Sequence, residues 1–351
     1  MRSILVLVLA SVLVALLAGP AGQGVAFAQP WAPWKDMAPA PAGAEEVYGA
    51  VAGGKVYVMG GIDIEWRPFG LVLEYDPASD RWAQKKTMPE LKHHVGVASL
   101  GGKVYLMGGF VWPEKGPPAW TPVASAWEYT PATDSWRKLA PLPSPRGALA
   151  CAALEGKVYC AGGARLPAWS QRNGIGPGSE IEQPNDLLVY DPSANAWTPK
   201  APMPTPRNHF TLTAAGGKLY AIGGRIGHAF VSGWSVPAAA NEEYDPATDR
   251  WRLRSPLPSR RSAHAAVEVN GKVHVLGGEE WQGFMSGVHR THEVYDPQTN
   301  RWAVSAPMRT PRHGFVAGTV GNRIFAISGA NVSGASGPHV ELKSNEALEV
   351  K

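Results

Sequence analysis

The chain has 351 residues and a formal net charge of +4, with 44% hydrophobic residues, 18% charged residues, 40 glycines and 32 prolines. This composition is typical of a globular, turn-rich protein and excludes a disordered or collagen-like chain. Lysine and arginine are spread along the whole sequence, so a nucleic-acid partner is not expected.

The first 28 residues are expected to be a signal peptide. Arg2 precedes an apolar run from Ile4 to Ala18, and Ala26-Phe27-Ala28 has the small-residue pattern that signal peptidase cleaves. An uncleaved anchor is the alternative, but this apolar run is short for a membrane span. We therefore expect residues 29–351 to form one folded domain that is secreted or periplasmic, with no stable membrane span after cleavage.

One pattern recurs five times after this segment. A Tyr is followed by a Trp seven residues later, a basic residue ten further on, and the second residue of a Gly-Gly or Ser-Gly pair seventeen beyond that. The runs are Tyr75, Trp82, Lys92, Gly109; Tyr129, Trp136, Arg146, Gly163; Tyr190, Trp197, Arg207, Gly224; Tyr244, Trp251, Arg261, Gly278; and Tyr295, Trp302, Arg312, Gly329. Only the stretch from this Gly to the next Tyr varies in length, which indicates a rigid scaffold with one variable loop per repeat.

Each repeat is predicted to form four antiparallel strands. Two short apolar runs flank a two-residue turn such as Gly53-Gly54, which suits a hairpin turn with positive φ. A third strand ends at the Tyr, and a turn such as Asp76-Pro77 leads to a fourth strand that carries the Trp. The Tyr and the Trp are expected to pack between neighbouring sheets.

These residues resemble the kelch motif, in which paired glycines, a Tyr followed by Asp-Pro, a Trp and an Arg recur. The resemblance covers nearly all of residues 29–351 and implies a kelch β-propeller. Three positions depart from the motif, since Thr130 replaces the Asp, Lys92 replaces the Arg and Ser328 replaces the first Gly of the last pair.

The two ends of the chain predict a sixth blade. Residues 348–351 match residues 73–76 of the first repeat, but no Trp strand follows them. Trp31 lies six residues before Met37, the same spacing from Trp to Met as in two later repeats. We therefore expect an all-β, six-bladed propeller of four-stranded antiparallel blades, in which the strand from Trp31 to Met37 completes the last blade and closes the ring.

Cys151 and Cys160 are predicted to face each other across the hairpin that turns at Glu155-Gly156. An exported protein permits a disulfide. Directly opposed strand positions often strain such a bridge, so the sequence leaves open whether the two residues are bridged.

The repeat topology puts the variable loops and the basic residue of each repeat on one face of the ring, which is the candidate functional face. The candidate ligand contacts among the basic residues and their neighbours are Lys92, Arg146, Arg207, His209, Arg261, Arg312 and His313. In kelch propellers that capture acidic peptides, residues of this rim make contacts, so the resemblance implies an anionic peptide or sugar. The alternative is that each basic residue ties neighbouring blades together through carbonyls or carboxylates.

The variable loops also carry tryptophans, of which the candidate ligand contacts are Trp66, Trp112, Trp169, Trp234 and Trp281. Trp and Arg on one surface suit a peptide or a sugar, through stacking and bidentate contacts. Alternatively, each Trp anchors its own loop.

No catalytic constellation stands out. Galactose oxidase, also a kelch propeller, uses tyrosines, histidines and a Cys-Tyr cross-link to hold copper. Nearly all tyrosines here belong to the repeat pattern, either as its first residue or in the strand before the paired glycines. The spacing of His289, His292 and Glu293 is a weak metal-ligand signal. Carboxylates such as Glu182 and Glu279 are available as acid or base, without a partner that singles one out.

The expectation is therefore an exported binding or protein-interaction module for a protein, peptide or glycan, without a cofactor or metal. The alternative is a carbohydrate-active enzyme, because the size and the signal peptide are similar to those of exported sialic acid mutarotases, with a galactose oxidase-like enzyme less favoured.

We predict that the mature protein begins at Gln29. N-terminal sequencing of the exported protein should read from Gln29, and Ala28→Arg should block processing because signal peptidase requires a small residue there. A mature chain that retains residues 4–18 would contradict the prediction.

Overall fold

The protein is described by a computed structural model that covers residues 32–63, 65–115, 119–176, 178–227, 235–282, 285–333 and 340–351, with the backbone alone at 281, 282, 285 and 286. Six four-stranded antiparallel sheets form the six blades. The first strands of consecutive blades contact one another in order, and the sixth contacts the first. The predicted six-bladed β-propeller of four-stranded antiparallel blades is therefore confirmed.

The strands follow in chain order. Strand β1 is Lys35–Met37. Blade 1 contains β2 (Tyr48–Ala52), β3 (Lys55–Met59), β4 (Val72–Asp76) and β5 (Arg81–Gln84). Blade 2 contains β6 (Gly96–Leu100), β7 (Lys103–Met107), the loop strands β8 (Phe110–Val111) and β9 (Thr121–Pro122), then β10 (Ala126–Thr130), a 3₁₀ helix (Pro131–Thr133) and β11 (Ser135–Leu139). Blade 3 contains β12 (Ala150–Leu154), β13 (Lys157–Ala161), β14 (Leu187–Asp191) and β15 (Ala196–Lys200).

The remaining blades have the same plan. Blade 4 contains β16 (Thr211–Ala215), β17 (Lys218–Ile222), the loop strands β18 (Arg225–Gly227) and β19 (Ser235–Pro237), then β20 (Asn241–Asp245) and β21 (Arg250–Leu253). Blade 5 contains β22 (Ala265–Val269), β23 (Lys272–Leu276), the loop strands β24 (Glu279–Gln282) and β25 (Met285–Val288), then β26 (His292–Asp296) and β27 (Arg301–Val304). Blade 6 contains β28 (Val316–Val320), β29 (Arg323–Ile327) and β30 (Asn345–Glu349), with β1 as its outermost strand.

Burial explains the sequence of each blade. The second strand reads as a continuous apolar run, such as Lys55–Met59, because neighbouring blades cover both of its faces. The fourth strand, such as Arg81–Gln84, is mostly exposed and carries polar residues. The predicted turn at Gly53-Gly54 joins Ala52 to its cross-strand partner Lys55, and both glycines have the positive φ that this turn requires.

The Tyr and the Trp of each repeat pattern, which we call the frame Tyr and the frame Trp, join consecutive blades. Tyr75 Oη donates to Asp80 at 2.6 Å, and the same carboxylate accepts the Ala38 backbone N–H at 2.9 Å. Trp82 Nε1 donates to the Ala38 carbonyl at 2.9 Å. The same three contacts recur in blades 2 to 5, with Asn in place of Asp in two of them.

Strand β1 closes the ring by pairing antiparallel with β30, with Lys35 opposite Ala347. The expected frame residue of this strand, Trp31, was wrong. Each frame Trp donates to the carbonyl four residues after the preceding frame Trp, and Trp34 does so by donating to the Ala306 carbonyl at 2.9 Å. Trp31 itself lies outside the described residues.

The expected register of the last strand was also wrong, by two residues. Leu348 pairs with Ile324, as Tyr75 pairs with the equivalent Val56. Leu348 therefore fills the position of the frame Tyr, which the apolar pattern alone does not distinguish from a neighbouring inward position.

Cys151 and Cys160 are cross-strand partners, as expected, and the structure joins them in a disulfide with their Cα atoms 4.1 Å apart. The bridge connects the two innermost strands of blade 3. Among the residues that the structure describes, no helix has the length and hydropathy of a membrane span. The predicted boundary between residues 28 and 29 lies outside the described residues.

We expect Trp34→Ala to lower the free energy of unfolding by about 3–5 kcal/mol, the usual cost of truncating a large aromatic side chain in a core. Trp34 is 3% exposed, whereas Trp169 is 69% exposed, so Trp169→Ala is the matched control and should stay within about 0.5 kcal/mol of the wild type. Urea denaturation followed by circular dichroism measures both. Equal stabilities of the two variants would contradict ring closure through Trp34.

Candidate functional site

The strand ends define two faces of the ring. The two-residue turns and the Asp-Pro turns lie on one face, and the long connections lie on the other, which we call the loop face. Within the described residues, the loop face comprises the connections 60–71, 108–125, 162–186, 223–240, 277–291 and 328–344, and the entry segments 38–47, 85–95, 140–149, 201–210, 254–264 and 305–315, which lead into the innermost strands.

The basic residue of each repeat lies in an entry segment and is buried. The exposed fraction is at most 1% for Lys92, Arg146, Arg207, Arg261 and Arg312. Arg207 Nη1 lies 2.7 Å from Glu242 Oε2, and Arg312 Nη2 lies 2.7 Å from Glu346 Oε1. Both glutamates belong to the third strand of the blade that the segment enters, so the ion pair ties the segment to the middle of that blade.

The other three basic residues have related partners. Arg146 pairs with Asp186, directly before β14, and Arg261 pairs with Glu293 in β26. Lys92 Nζ lies 3.1 Å from Ser125 Oγ and 3.3 Å from Glu90 Oε2. Burial lowers the pKa of Lys92 to about 8, while the nearby Glu90 carboxylate opposes this change.

The backbone of the same residues joins neighbouring blades. The second Gly of one blade donates its N–H to the carbonyl of the next basic residue, at 2.9 Å from Gly224 to Arg261 and 2.8 Å from Gly278 to Arg312. Gly278 has a φ of +101° and lies against the Ser262 carbonyl, so no other residue fits there without strain. The basic residues thus tie segments and blades together, which was the alternative to a role in ligand binding. Their charged groups point into the blades.

The loop tryptophans fall into two groups. Trp66 and Trp112 pack against a buried cluster that contains Phe110, Trp120 and Ile175. The ring centres of Trp66 and Trp120 are 5.9 Å apart. These tryptophans therefore anchor their loops.

Trp169 differs from them because 69% of it is exposed. It is a loop-face side chain that a ligand can contact. Trp234 and the side chain of Trp281 lie outside the described residues.

Six residues, one from each entry segment, surround the loop-face end of the central channel. We call them the axial ring, and they are Glu46, His94, Ala148, His209, Ala263 and Gly314. All six have a φ between +48° and +56°, the left-handed region that costs an L-residue roughly 1–2 kcal/mol.

Backbone hydrogen bonds run around this ring. The N–H of Ala148 donates to the His94 carbonyl at 2.8 Å, that of His209 to Ala148 at 3.1 Å, that of Ala263 to His209 at 2.9 Å and that of Gly314 to Ala263 at 2.9 Å. These bonds link five of the six ring residues, and the Gly314 carbonyl accepts the N–H of Val47, the residue after Glu46, at 3.1 Å.

Three side chains of the axial ring meet. The ligand atoms of Glu46, His94 and His209 all lie within 4.8 Å of one another, and all three residues are buried. His94 Nε2 lies 3.4 Å from Glu46 Oε2, and Tyr48 Oη donates to the same oxygen at 2.9 Å.

Further polar side chains extend this group. Arg225 Nη2 lies 2.9 Å from His209 Nε2, while Arg225 Nη1 donates to Glu279. His313 Nε2 lies 3.7 Å from Glu279 Oε2 and 3.8 Å from Glu46 Oε1. We call Glu46, His94, His209, Arg225, Glu279 and His313 the axial polar cluster.

Burial sets the protonation of this cluster. Desolvation raises the pKa of Glu46, although His313 lowers it in part. Desolvation, with a smaller contribution from Arg225, holds the pKa of His94 well below its usual value. The His94 imidazole is therefore neutral near pH 7, with one protonated and one unprotonated nitrogen, and its Nδ1 lies 2.5 Å from His93 Nδ1.

A cavity of about 150 Å³ lies inside the central channel and reaches the axial ring. Glu46 and His209 line it at the loop-face end, and Val97, Leu212 and Val316 are among its apolar wall residues. The channel thus connects the buried carboxyl and imidazole groups to open space.

The weak motif of His289, His292 and Glu293 does not form one site in the structure. His292 Nε2 lies 2.8 Å from His274 Nδ1, and Glu293 pairs with Arg261. His289 instead lies 3.9 Å from Glu280.

Sequence reasoning missed Glu46 and Arg225. Glu46 lies in the one entry segment without a basic residue, where Ala44 occupies the Arg position. Alignment of all six entry segments on that position would have placed Glu46 level with His94 and His209. The ion pair of Arg225 with Glu279 joins two repeats and has no signal within either one.

Family comparison agrees with this architecture. Two sequence profiles, both described as "Kelch motif", match residues 49–89, 92–143, 206–258 and 260–309 in one case and residues 145–204 in the other. The chain belongs to the kelch-repeat family.

Individual proteins resemble the chain more distantly. Kelch-like protein 36 of Rattus norvegicus is 27% identical over 258 residues, which are 72% of this chain and 38% of the relative. Kelch-like protein terF of Aspergillus terreus is 26% identical over 302 residues, covering 83% of this chain and 62% of the relative. The chain thus spans less than two thirds of the length of both relatives.

A solved structure, "Structure of YjhT", superposes with a TM-score of 0.71 at 18% sequence identity. The match covers 90% of this chain and 97% of that one. At this identity, the similarity establishes the fold alone.

Proposed function

We propose that this kelch propeller is an exported binding module that holds a protein or peptide on its loop face. The observation that carries the proposal is the location of exposed apolar side chains. The most exposed large apolar residues among those described are Leu91, Trp169, Ile226, Val236 and Val340 on the loop face, and Leu253 and Val304 on the outer strands. Five of these seven residues therefore lie on the loop face, where a partner can contact them.

The loop hairpin of blade 4 presents two of these residues together. Ile226 and Val236 are cross-strand partners in β18 and β19, and 43% and 46% of them are exposed. Such a pair offers a small apolar platform on a rigid hairpin. A ligand with apolar side chains fits this surface.

Trp169 provides a second contact next to a groove. A cavity of about 390 Å³ is lined by Pro122, Arg165, Leu166, Glu182 and neighbouring residues of blades 2 and 3. Arg165 and Glu182 are ion-paired at its edge. A groove with an apolar floor, a charged edge and an exposed Trp nearby suits a peptide segment.

The proposal includes a preference for anionic ligands only because some arginine side chains of the loop face are exposed. The basic frame residues Lys92, Arg146, Arg207, Arg261 and Arg312 are buried in ion pairs or hydrogen bonds. Arg67, Arg172 and Arg290 are exposed on the loop face and can meet an acidic ligand. Export is supported by the apolar N-terminal run and by the disulfide, because oxidising compartments preserve such bridges.

A carbohydrate-active enzyme is the second candidate, and Glu46 is the observation that favours it. Burial raises the pKa of this carboxyl group, which lies at the end of the channel cavity beside Tyr48. A carboxyl group with a raised pKa can act as a general acid on a sugar. Glu182 and Glu279 suit this role less because each is paired with an arginine.

The test selects peptides from a displayed random library on the immobilised wild-type protein and measures their affinities for variants by biolayer interferometry. The loop-face variants are Trp169→Ala and the double variant Ile226→Ser/Val236→Ser. We expect at least one of them to lose about tenfold or more in affinity, as truncation of an interface anchor usually does.

Leu253→Ser/Val304→Ser is the matched control, because it removes two apolar side chains of the outer strands that are more exposed than Ile226 and Val236. Its affinities should equal those of the wild type. Peptides that bind all variants equally, or that lose affinity only for the control, would refute the loop-face assignment. A parallel glycan array and a sugar-turnover assay distinguish the enzymatic alternative.

A further inference from the structure

The geometry points to a binding site for a divalent transition-metal ion, with zinc as the best match, formed by Glu46, His94 and His209. One carboxylate oxygen and two imidazole nitrogens are the ligands. This set is one that protein zinc sites use when a coordination position stays open for a water molecule or a substrate. The inference stands apart from the proposed peptide binding.

The spacing of the ligand atoms fits a tetrahedral ion. Two ligand atoms that are each about 2.1 Å from a tetrahedral zinc ion lie about 3.4 Å from each other. His94 Nε2 and Glu46 Oε2 are 3.4 Å apart, and the third ligand atom, from His209, lies within 4.8 Å of both. A modest rotation of the His209 side chain completes the triangle.

The fold preorganises these three ligands. Glu46, His94 and His209 occupy equivalent positions in three different blades, and the backbones of His94 and His209, with that of Val47 next to Glu46, are hydrogen-bonded to ring residues. The other three ring positions hold Ala148, Ala263 and Gly314, which leave room in the centre. Gly314 packs closely, since a Cβ atom there would lie 2.9 Å from the Glu46 backbone nitrogen.

Charge favours a cation at this place. Two buried acidic side chains of the axial polar cluster, Glu46 and Glu279, lie beside His313, and Arg225 pairs with Glu279. A divalent cation compensates the charge of a buried carboxylate that binds it and so lowers the cost of burying that carboxylate.

Arg225 is the competitor of the metal ion. Its Nη2 donates to His209 Nε2 at 2.9 Å and thus uses the electron pair that a metal ion needs. Metal binding replaces this hydrogen bond, and Arg225 keeps its ion pair with Glu279. Weakening the Arg225 hydrogen bond should therefore strengthen metal binding.

The channel gives the ion a route and an open coordination position. Glu46 and His209 line the cavity of about 150 Å³ at its loop-face end. A water molecule, whose share of liquid volume is about 30 Å³, fits in that space. The disulfide leaves no free thiol among the described residues to compete for the ion.

The test titrates ZnCl₂ and CoCl₂ into untagged, EDTA-treated full-length mature protein by isothermal titration calorimetry. We expect one equivalent to bind, and Co²⁺ to give visible absorption bands of a four- or five-coordinate site. His94→Ala and His209→Ala should each weaken binding at least tenfold. His289→Ala is the matched control, a loop-face histidine outside the cluster, and should bind as the wild type does.

The Arg225→Lys variant tests whether Glu46, His94 and His209 bind a metal ion or only form a structural cluster. Lysine preserves the charge next to Glu279 but has one terminal nitrogen, so it lacks the second nitrogen with which Arg225 reaches His209. Zn²⁺ should therefore bind several-fold more tightly than to the wild type. Circular dichroism verifies that each variant is folded. Absence of stoichiometric binding to the wild type, equal binding by the His94→Ala variant, or weaker binding by the Arg225→Lys variant would each overturn the proposal.

Discussion

In five of the six entry segments, a buried basic residue ties the segment to the third strand of the blade it enters or to the connection near that strand, and the rest of the structure depends on this link. In blade 4, the Arg207 guanidinium is paired with Glu242, and both side chains are fully buried. The carbonyl of the same Arg207 accepts the N–H of Gly163 from blade 3. One residue therefore fixes a segment within its own blade through the side chain and to the preceding blade through the backbone. Because an unpaired buried charge is costly, this geometry tolerates little displacement.

This constraint divides the loop face into two chemical zones. The entry segments are held so firmly that two residues after the basic position the chain turns into the left-handed region, and six such residues form the axial ring. Three of their side chains, those of Glu46, His94 and His209, meet one another. The longer connections are tied down by their own apolar clusters, such as the one around Phe110 and Trp120, and leave Trp169 and Ile226 exposed. The loop face thus has a polar centre and exposed apolar side chains at its periphery.

Features that recur in every repeat could be predicted from the sequence. Contacts between residues of different repeats could not. Blade number, hairpin turns and the pairing of Cys151 with Cys160 followed from fixed spacing, because local turns and strand alternation determine them. Trp34 was missed in favour of Trp31, since both fit an apolar strand and only the hydrogen bond to Ala306 distinguishes them. The burial of Arg207 depends on Glu242, far along the chain, so its sequence context allowed either a ligand contact or a structural tie. The meeting of Glu46 with His209 depends on ring closure and has no local signature.

A double-mutant cycle on Arg207 and Glu242 tests most directly whether the buried pair holds the entry segment. Arg207→Met should lower the free energy of unfolding by about 3–5 kcal/mol, since Glu242 is left buried without its countercharge. Adding Glu242→Gln to that variant should restore part of the stability, so the two changes are coupled by about 1–3 kcal/mol. Urea denaturation of the four proteins gives these values. Stability losses that simply add would contradict the account, because the two side chains would then act independently.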